Sequence, residues 1–453
     1  LFFAGYCASQ LGTAMSAVAI AFAVLDEGGT PTGLGVVFAA NIVPMIVFLL
    51  GGGVLADRLG RRPVMLAADV TRSLAQGGLA CALFLGHPGV GVFAVAAFLV
   101  GVGNAFFGPA LSGLTVQIAD RERLRDANAL LGMAQPAARM AGPALAGILI
   151  AVTSPAVVIA ADAVSYGASA LVLASLRVSG SRDGSSAGPA QGRQRQSLRR
   201  DLAEGWAAFT ARTWLMAETL QFTLFNLLTW GPYLVLGPVL ARSYLGGARA
   251  WGVILACYGG GAILGGLLAM GHRPARPLLV GTLTTLGFPL PPLALALHLP
   301  LAFVAAGALI AGTVTAFGGA IETTVTQVLV PSEVLARVQS FGMVGAFGLG
   351  PLAFIAAGPV SSVVGARAVL GFGAAWAVLG TLAVLLVPAV WRVRWDGEVA
   401  SPGRRVDGAG QGMPARLRQG HRGPGRVADG EHGQHAAGDA QRGRDEAGGV
   451  EPG

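Results

Sequence analysis

Apolar runs of about 20 residues, the length that crosses a hydrocarbon core as a helix, follow one another along most of this chain. Twelve can be marked out: 1–25, 33–56, 63–86, 90–117, 129–152, 155–176, 213–240, 249–270, 276–297, 300–328, 339–361 and 365–390. Only 12% of residues are charged, about half the share usual in soluble domains, and mean hydropathy is +0.64. The expected fold class is an all-α membrane protein with twelve transmembrane helices. The 69 glycines fit that reading, because small residues let helices approach closely in lipid.

The loops test the count. Every basic residue is Arg. Arg58, Arg61 and Arg62, then Arg121, Arg123 and Arg125, then the Arg-rich centre, then Arg273 and Arg276, then Arg337 fall in alternate loops. The opposite loops hold only Arg242, Arg249 and Arg367. Basic residues concentrate in cytoplasmic loops, so both termini are expected in the cytoplasm of a bacterium, with the chain multi-pass in the inner membrane. The net charge of +8 is accounted for by these loops and the tail, and a nucleic-acid partner is not expected.

The spans divide six and six. Expected domains are a first half at 1–176, a Gly/Ser/Gln/Arg-rich cytoplasmic linker at 177–212, a second half at 213–390 and a tail at 391–453. The linker ends in Asp201, Leu202, Glu204, Trp206 and Phe209, a pattern that reads as a short interfacial helix. From about 397 the tail has almost no aliphatic residues and is expected to be disordered. Leu1 already lies inside an apolar run, so the natural start is expected upstream. A shift of 211 residues lays Asn104–Gly108 on Thr315–Gly319, Thr115 on Thr326, Glu122 on Glu333 and Leu124 on Leu335. Span four thus resembles span ten, as in transporters built from two parallel repeats.

Between spans two and three stands Gly53-Val-Leu-Ala-Asp57-Arg58-Leu-Gly60-Arg61-Arg62. Gly60 permits a tight turn, Asp57 can pair with Arg or a helix N-terminus, and the arginines hold the loop inside. This segment resembles the signature loop of the major facilitator superfamily. In span five, Gly142-Pro143 with Gly147 is similar to a loose form of the Gly-Pro motif of exporters in that superfamily, where Pro bends the helix. The resemblance covers about residues 1–390 and runs toward the macrolide-efflux and siderophore-exporter branch of drug:proton antiporters.

That resemblance implies a fold of two pseudo-symmetric six-helix halves, alternating access, and a signature loop that latches one access state through Gly53, Asp57, Arg58, Gly60, Arg61 and Arg62. Charges inside spans are costly and functional by default. Asp69 and Arg72, one turn apart, resemble the cytoplasmic charge relay of those exporters. Arg139 and Asp162 are candidate partners, as a structural or a coupling pair, and Glu322 is a candidate proton carrier or latch. Glu218 lies near the start of span seven. In the implied fold spans one, four, seven and ten line the cavity, which makes Gln10, Thr13, Asn104, Gln221, Asn226 and Thr323 substrate candidates. Phe106, Phe107, Phe222, Phe225 and Trp230 could supply an aromatic lining. Span four lacks the Arg that many proton-coupled drug antiporters carry there.

Neither a Walker loop nor metal-ligand spacing is present, and Cys7, Cys81 and Cys257 read as packing residues. No enzyme, cofactor or metal is expected. The expected partners are a small amphiphilic substrate, protons and the bilayer, with the chain as a monomer. Two rival readings are an uptake symporter on the same fold and a membrane protein, or truncated gene product, that does not transport.

Overall fold

The computed structural model describes residues 2–118, 124–175 and 198–394. The expected linker core and the tail beyond 394 lie outside the described residues. So do the side chains of 49–58, and with them those of Gly53, Asp57 and Arg58.

All regular elements among the described residues are helical. The first six helices are α1 (Phe2–Asp26), α2 (Pro31–Leu59), α3 (Arg61–Leu85), α4 (Val90–Ile118), α5 (Leu124–Val152) and α6 (Pro155–Ser175). At 21 to 29 residues, each is at least about 30 Å long at 1.5 Å per residue. A short helix follows, α7 (Leu198–Thr210), where the interfacial segment was expected. Its Trp206 and Phe209 rings pack together 5.8 Å apart.

The remaining helices are α8 (Thr213–Phe225), α9 (Gly231–Leu240), α10 (Ala248–Ala269), α11 (Pro277–Thr284), α12 (Leu290–Ala296), α13 (Leu301–Leu329), α14 (Ser332–Phe347), α15 (Gly350–Val364), α16 (Ala366–Leu385) and α17 (Pro388–Arg392). A π-turn over Asn226–Trp230 joins α8 to α9, where Gly231 donates its N–H to the Asn226 carbonyl. Pro232 follows and has no N–H to close an ordinary turn. A 3₁₀ turn over Thr285–Gly287 separates α11 from α12, and Pro289, Pro291 and Pro292 hold the break open.

Among the described residues nine segments are long and apolar enough to cross a membrane: Phe2–Asp26, Val90–Leu111, Pro155–Ser175, Thr213–Leu245, Ala248–Ala269, Pro277–Ala296, Leu301–Leu329, Arg337–Val364 and Ala366–Leu385. The other three expected spans coincide with α2, α3 and α5. Charge interrupts the apolar stretch in α3 (Arg61, Arg62, Asp69, Arg72) and in α5 (Arg125, Asp126, Arg139). In α2 the described apolar stretch is Pro31–Met45, and the side chains at 46 and 49–58 lie outside the described residues.

Packing is uneven along the helices. Helix α1 packs on α5 and α6, α3 on α4 and α6, and α2 on α4. Separately, α13 packs on α10, α11 and α12, while α16 packs on α8 and α12. The two sets meet chiefly where α2 touches α15 and α5 touches α10. One apolar core at the Asp26 end takes residues from both sets, including Phe22, Leu34 and Ile159 with Leu236, Trp251 and Phe354. Among the described residues, two separate cores occupy the Arg61 end. One is built around Met65, Phe107 and Leu114, the other around Trp214, Leu278 and Ile321.

Candidate functional site

A polar cluster lies inside the first six helices, where burial makes each unmatched group expensive. Asp69, Arg72 and Gln76 sit at successive turns of α3, so they share one face. Their exposures are 0%, 3% and 2%, and Asp162 on α6 is 0% exposed. Arg72 forms an ion pair with Asp69 through Nη2. Its Nη1 donates to Asn104 Oδ1 on α4 at 3.0 Å. The guanidinium lies 4.3 Å from the Phe107 ring centre and 4.4 Å from that of Tyr166, a sandwich that favours a cation over two π-faces. Ser169 Oγ donates to the second Asp69 oxygen at 2.6 Å. Asp69 is thus matched on both oxygens, and the pair is neutral as a unit.

Asp162 is not matched in this way. Gln76 Nε2 donates to Asp162 Oδ2 at 2.8 Å and also to Ser16 Oγ at 2.7 Å. Asp162 Oδ1 is closed to solvent and has no partner, as do Gln76 Oε1 and Arg72 Nε. Thr13 Oγ1 and Tyr166 Oη share a hydrogen bond of 2.7 Å beside the sandwich. Gly12 makes the room: a Cβ there would stand 2.6 Å from Asp162 Oδ1. Counted as ions, the cluster holds two carboxylates and one guanidinium, one negative charge too many for a site closed to solvent.

The other sequence candidates separate into groups. Arg139 is exposed on α5 and bears electrostatically on Tyr258 of α10, while Asp162 takes its hydrogen bond from Gln76. Asn104 is tied to Arg72. Asn226 is buried and donates to the Ala346 carbonyl on α14 at 3.2 Å, so it joins helices. Gln221 donates to Thr285 Oγ1 at 3.1 Å and Thr381 Oγ1 at 3.0 Å, holding α8 to the 3₁₀ turn and to α16. Gln10 is half-buried on α1, and Glu322 and Thr323 are exposed on α13. Gly142 packs on Ala14 of α1, and Gly147 lies where a Cβ would be 3.0 Å from the Ala248 carbonyl of α10. The Gly-Pro segment is therefore the crossing of α5 with α1 and α10.

Of the signature loop, Gly60 has φ 92°, a conformation that favours glycine. Arg62 donates through Nε to the Leu173 carbonyl at 2.7 Å and through Nη2 to the Ala174 carbonyl at 2.5 Å. It thereby donates to two carbonyls of the last turn of α6.

Sequence reading missed Gln76, Ser16, Ser169 and Tyr166 as members of the cluster. The spacing of Asp69, Arg72 and Gln76 on one helix was a usable signal for Gln76. The others are small or aromatic residues on α1 and α6 whose sequence context carries no mark.

A helical membrane bundle with a buried, charge-bearing centre defines a class of polytopic transporter. The chain belongs to the Major Facilitator Superfamily, whose profile matches residues 2–353; it is a multi-pass transporter and not an enzyme. Among curated relatives it is similar to macrolide efflux protein A of Streptococcus pyogenes, with 26% identity over 284 residues, 61% of this chain and 67% of that one. It is also similar to the multidrug efflux pump Tap of Mycolicibacterium fortuitum, with 27% identity over 374 residues, 79% of this chain and 87% of the relative. Among solved structures, an inward-facing bacterial homolog of the human lysosomal transporter Spinster aligns with a TM-score of 0.61 and 13% identity, covering 88% of this chain and 98% of that one. A POT family transporter aligns with a TM-score of 0.64 and 14% identity, covering 86% and 96%. Those two likenesses speak to fold alone.

Proposed function

We propose that this chain exports an amphiphilic small molecule from a bacterial cell by alternating access, driven by proton antiport. In this reading it is a monomer of twelve spans in two six-helix halves, 1–176 and 213–390, with both termini in the cytoplasm of the inner membrane. The observation that carries it is the uneven packing among the described residues: one core shared by both helix sets at the Asp26 end, and two separate cores at the Arg61 end. Such a molecule is closed at one end and parted at the other. The Arg distribution makes the parted end cytoplasmic, so a substrate enters from inside. The direction of net transport follows the printed names of the relatives, which are efflux proteins at 26–27% identity.

The proton site in this reading is Asp162. With Asp69 and Arg72 neutral as a pair, the cluster becomes neutral when Asp162 takes one proton, and its free Oδ1 has room to carry it. Gly12 of α1 and Asp162 of α6 lie in the same half, so rocking of the halves carries the site as a unit and changes the side from which a proton reaches it. The signature loop acts as the latch. The test is uptake of lipophilic antibiotics into everted vesicles energised with a proton gradient, with and without an uncoupler. Uptake that ignores the uncoupler would remove the antiport mechanism, and absence of any uptake over a broad panel would remove the export reading.

A further inference from the structure

The seam between the two helix sets has an outer face that the cluster around Asp162 does not use. Helix α5 of the first set crosses α10 of the second at Gly147 and Gly252, where a Cβ on Gly252 would stand 2.6 Å from the Pro143 carbonyl. On the inner side of this crossing Arg139 bears on Tyr258, whose ring lies 5.4 Å from that of Trp230. Ile148 follows Arg139 by nine residues, and Arg249 precedes Tyr258 by nine. Nine residues are about two and a half helical turns. Ile148 and Arg249 therefore point the opposite way, out of the bundle and toward the bilayer. Ile148 and Val253 are exposed there, as is Arg249.

On that outer side the helices part into a groove of about 380 Å³, lined by Ala144 and Ile148 of α5 and by Arg249, Val253, Ala256 and Cys257 of α10. The volume is on the order of a dozen water molecules. Its wall is apolar except at one end, where Arg249 stands in the first turn of α10. Cys257 lies eight residues further along the helix, about 12 Å below Arg249. One leaflet of hydrocarbon is about 15 Å deep. The groove thus approaches the depth of a leaflet, with small side chains along it and a cation at headgroup level.

Among the described residues that cation has no counter-charge. Of the acids at this end, Asp26 pairs with Arg242 and Glu27 with His87. Helix α10 carries no acid, and α5 carries none beyond Asp126. A guanidinium takes a phosphate through two parallel hydrogen bonds. A groove that opens on the bilayer is filled from the bilayer, and a lipid of net negative charge matches one unpaired cation.

We propose that this groove binds one anionic phospholipid of the outer leaflet, its acyl chain along Ala144, Val253 and Ala256 and its phosphate on Arg249. The walls belong to different sets, so a chain seated between them favours the packing in which α5 and α10 stay together. The lipid steadies the closed Asp26 end. The leaflet follows from the orientation proposed above, whereas the site itself does not depend on transport.

The experiment is native mass spectrometry of the purified full chain in detergent, titrated with dioleoylphosphatidylglycerol or dioleoylphosphatidylcholine, beside thermal melting in the same mixtures. Expected is a first phosphatidylglycerol held about tenfold better than phosphatidylcholine, as one charge-assisted contact supplies, with melting raised by several degrees. Arg249→Gln should remove both the preference and the shift, and Arg249→Lys should keep part of each. Val253→Trp fills the groove with Arg249 in place and should lose the bound lipid. Both positions are exposed, so melting without lipid should match the native chain. Glycerol phosphate, a headgroup without chains, should neither be retained nor shift melting. Equal retention of the two lipids by the native chain overturns the proposal. So does a preference that survives Arg249→Gln, or a lipid that survives Val253→Trp. A lipid-free dimer that Val253→Trp dissolves would assign the groove to a second copy and equally overturn it.

Discussion

At the scale of single residues the cluster rests on two unequal acids. Asp69 has a cation and a hydroxyl donor, so its ionised form is matched. Removing the cation leaves a buried charge with no counterpart, which costs about 3–5 kcal/mol in comparable sites. Arg72→Ala is therefore expected to lower thermal stability in detergent by many degrees and to lose transport, and Asp69→Asn/Arg72→Ala should recover part of that stability. A melting curve for the double variant no better than the single would show that the ion pair is not the source. Asp162→Asn behaves differently, because an amide in that place still accepts from Gln76 and carries no charge. It should leave melting within a few degrees of the native chain and abolish uptake driven by a pH gradient. Exchange of substrate with no gradient applied should survive. Native proton-driven uptake in this variant would remove Asp162 as the coupling site. The pairing of Asp69 with Arg72 was legible in sequence because both lie one turn apart on one helix. The suggested partnership of Arg139 with Asp162 crossed between helices, where the rotation of each about its axis decides who meets whom. Sequence periodicity does not fix that rotation between two helices that are apolar nearly all round.

At the scale of elements, close crossings replace the hydrophobic effect, which does little between helices already in lipid. The crossing of α5 with α10 is the clearest case. Gly147 leaves so little space that a Cβ would sit 3.2 Å from the Gly252 Cα, and neighbouring Ala146 is 0% exposed in the shared core. Gly147→Leu is expected to hold the two helices apart and abolish transport while the chain still inserts. The readout is a cysteine at Ala146, on a background without Cys7, Cys81 and Cys257. It should be inert to an impermeant maleimide in the native chain and reactive when Leu occupies 147. Unchanged reactivity would mean that the crossing tolerates bulk and does not set the closed end. The positions of the apolar helices were legible because length and hydropathy fix them. The π-turn after Phe225 and the broken run from Pro277 to Ala296 were not. They arise from Pro232 and from Pro289, Pro291 and Pro292 acting inside runs that composition alone reads as continuous.

At the scale of the whole molecule, two polar side-chain pairs at the same end make a controlled comparison. Arg242 Nη2 lies 3.2 Å from Asp26 Oδ1 and joins the two helix sets, while His87 Nδ1 lies 2.7 Å from Glu27 Oε2 within the first set. Both pairs reach solvent, so neither contributes much stability, but they differ in what a covalent bridge across them would do. If the two sets rock against each other, a short reversible crosslinker between cysteines at 26 and 242 fixes the Asp26 end closed and stops transport. The same crosslinker between cysteines at 27 and 87 ties together parts that move as one body and leaves transport intact. Reductant should restore the first variant to the rate of its uncrosslinked form. Equal inhibition by both bridges, or by neither, would exclude rocking of the sets. The outcome also bears on the 211-residue register between span four and span ten. That likeness, with the alternation of Arg between loops, is what suggests a two-part transporter from sequence. It carried no information on which end of the molecule is closed. Closure depends on a free-energy difference between two packings of the same helices, a few kcal/mol at most in a molecule that must visit both. That difference is spread over many contacts between the sets, and those such as Asp26 with Arg242 look in sequence like ordinary loop charges.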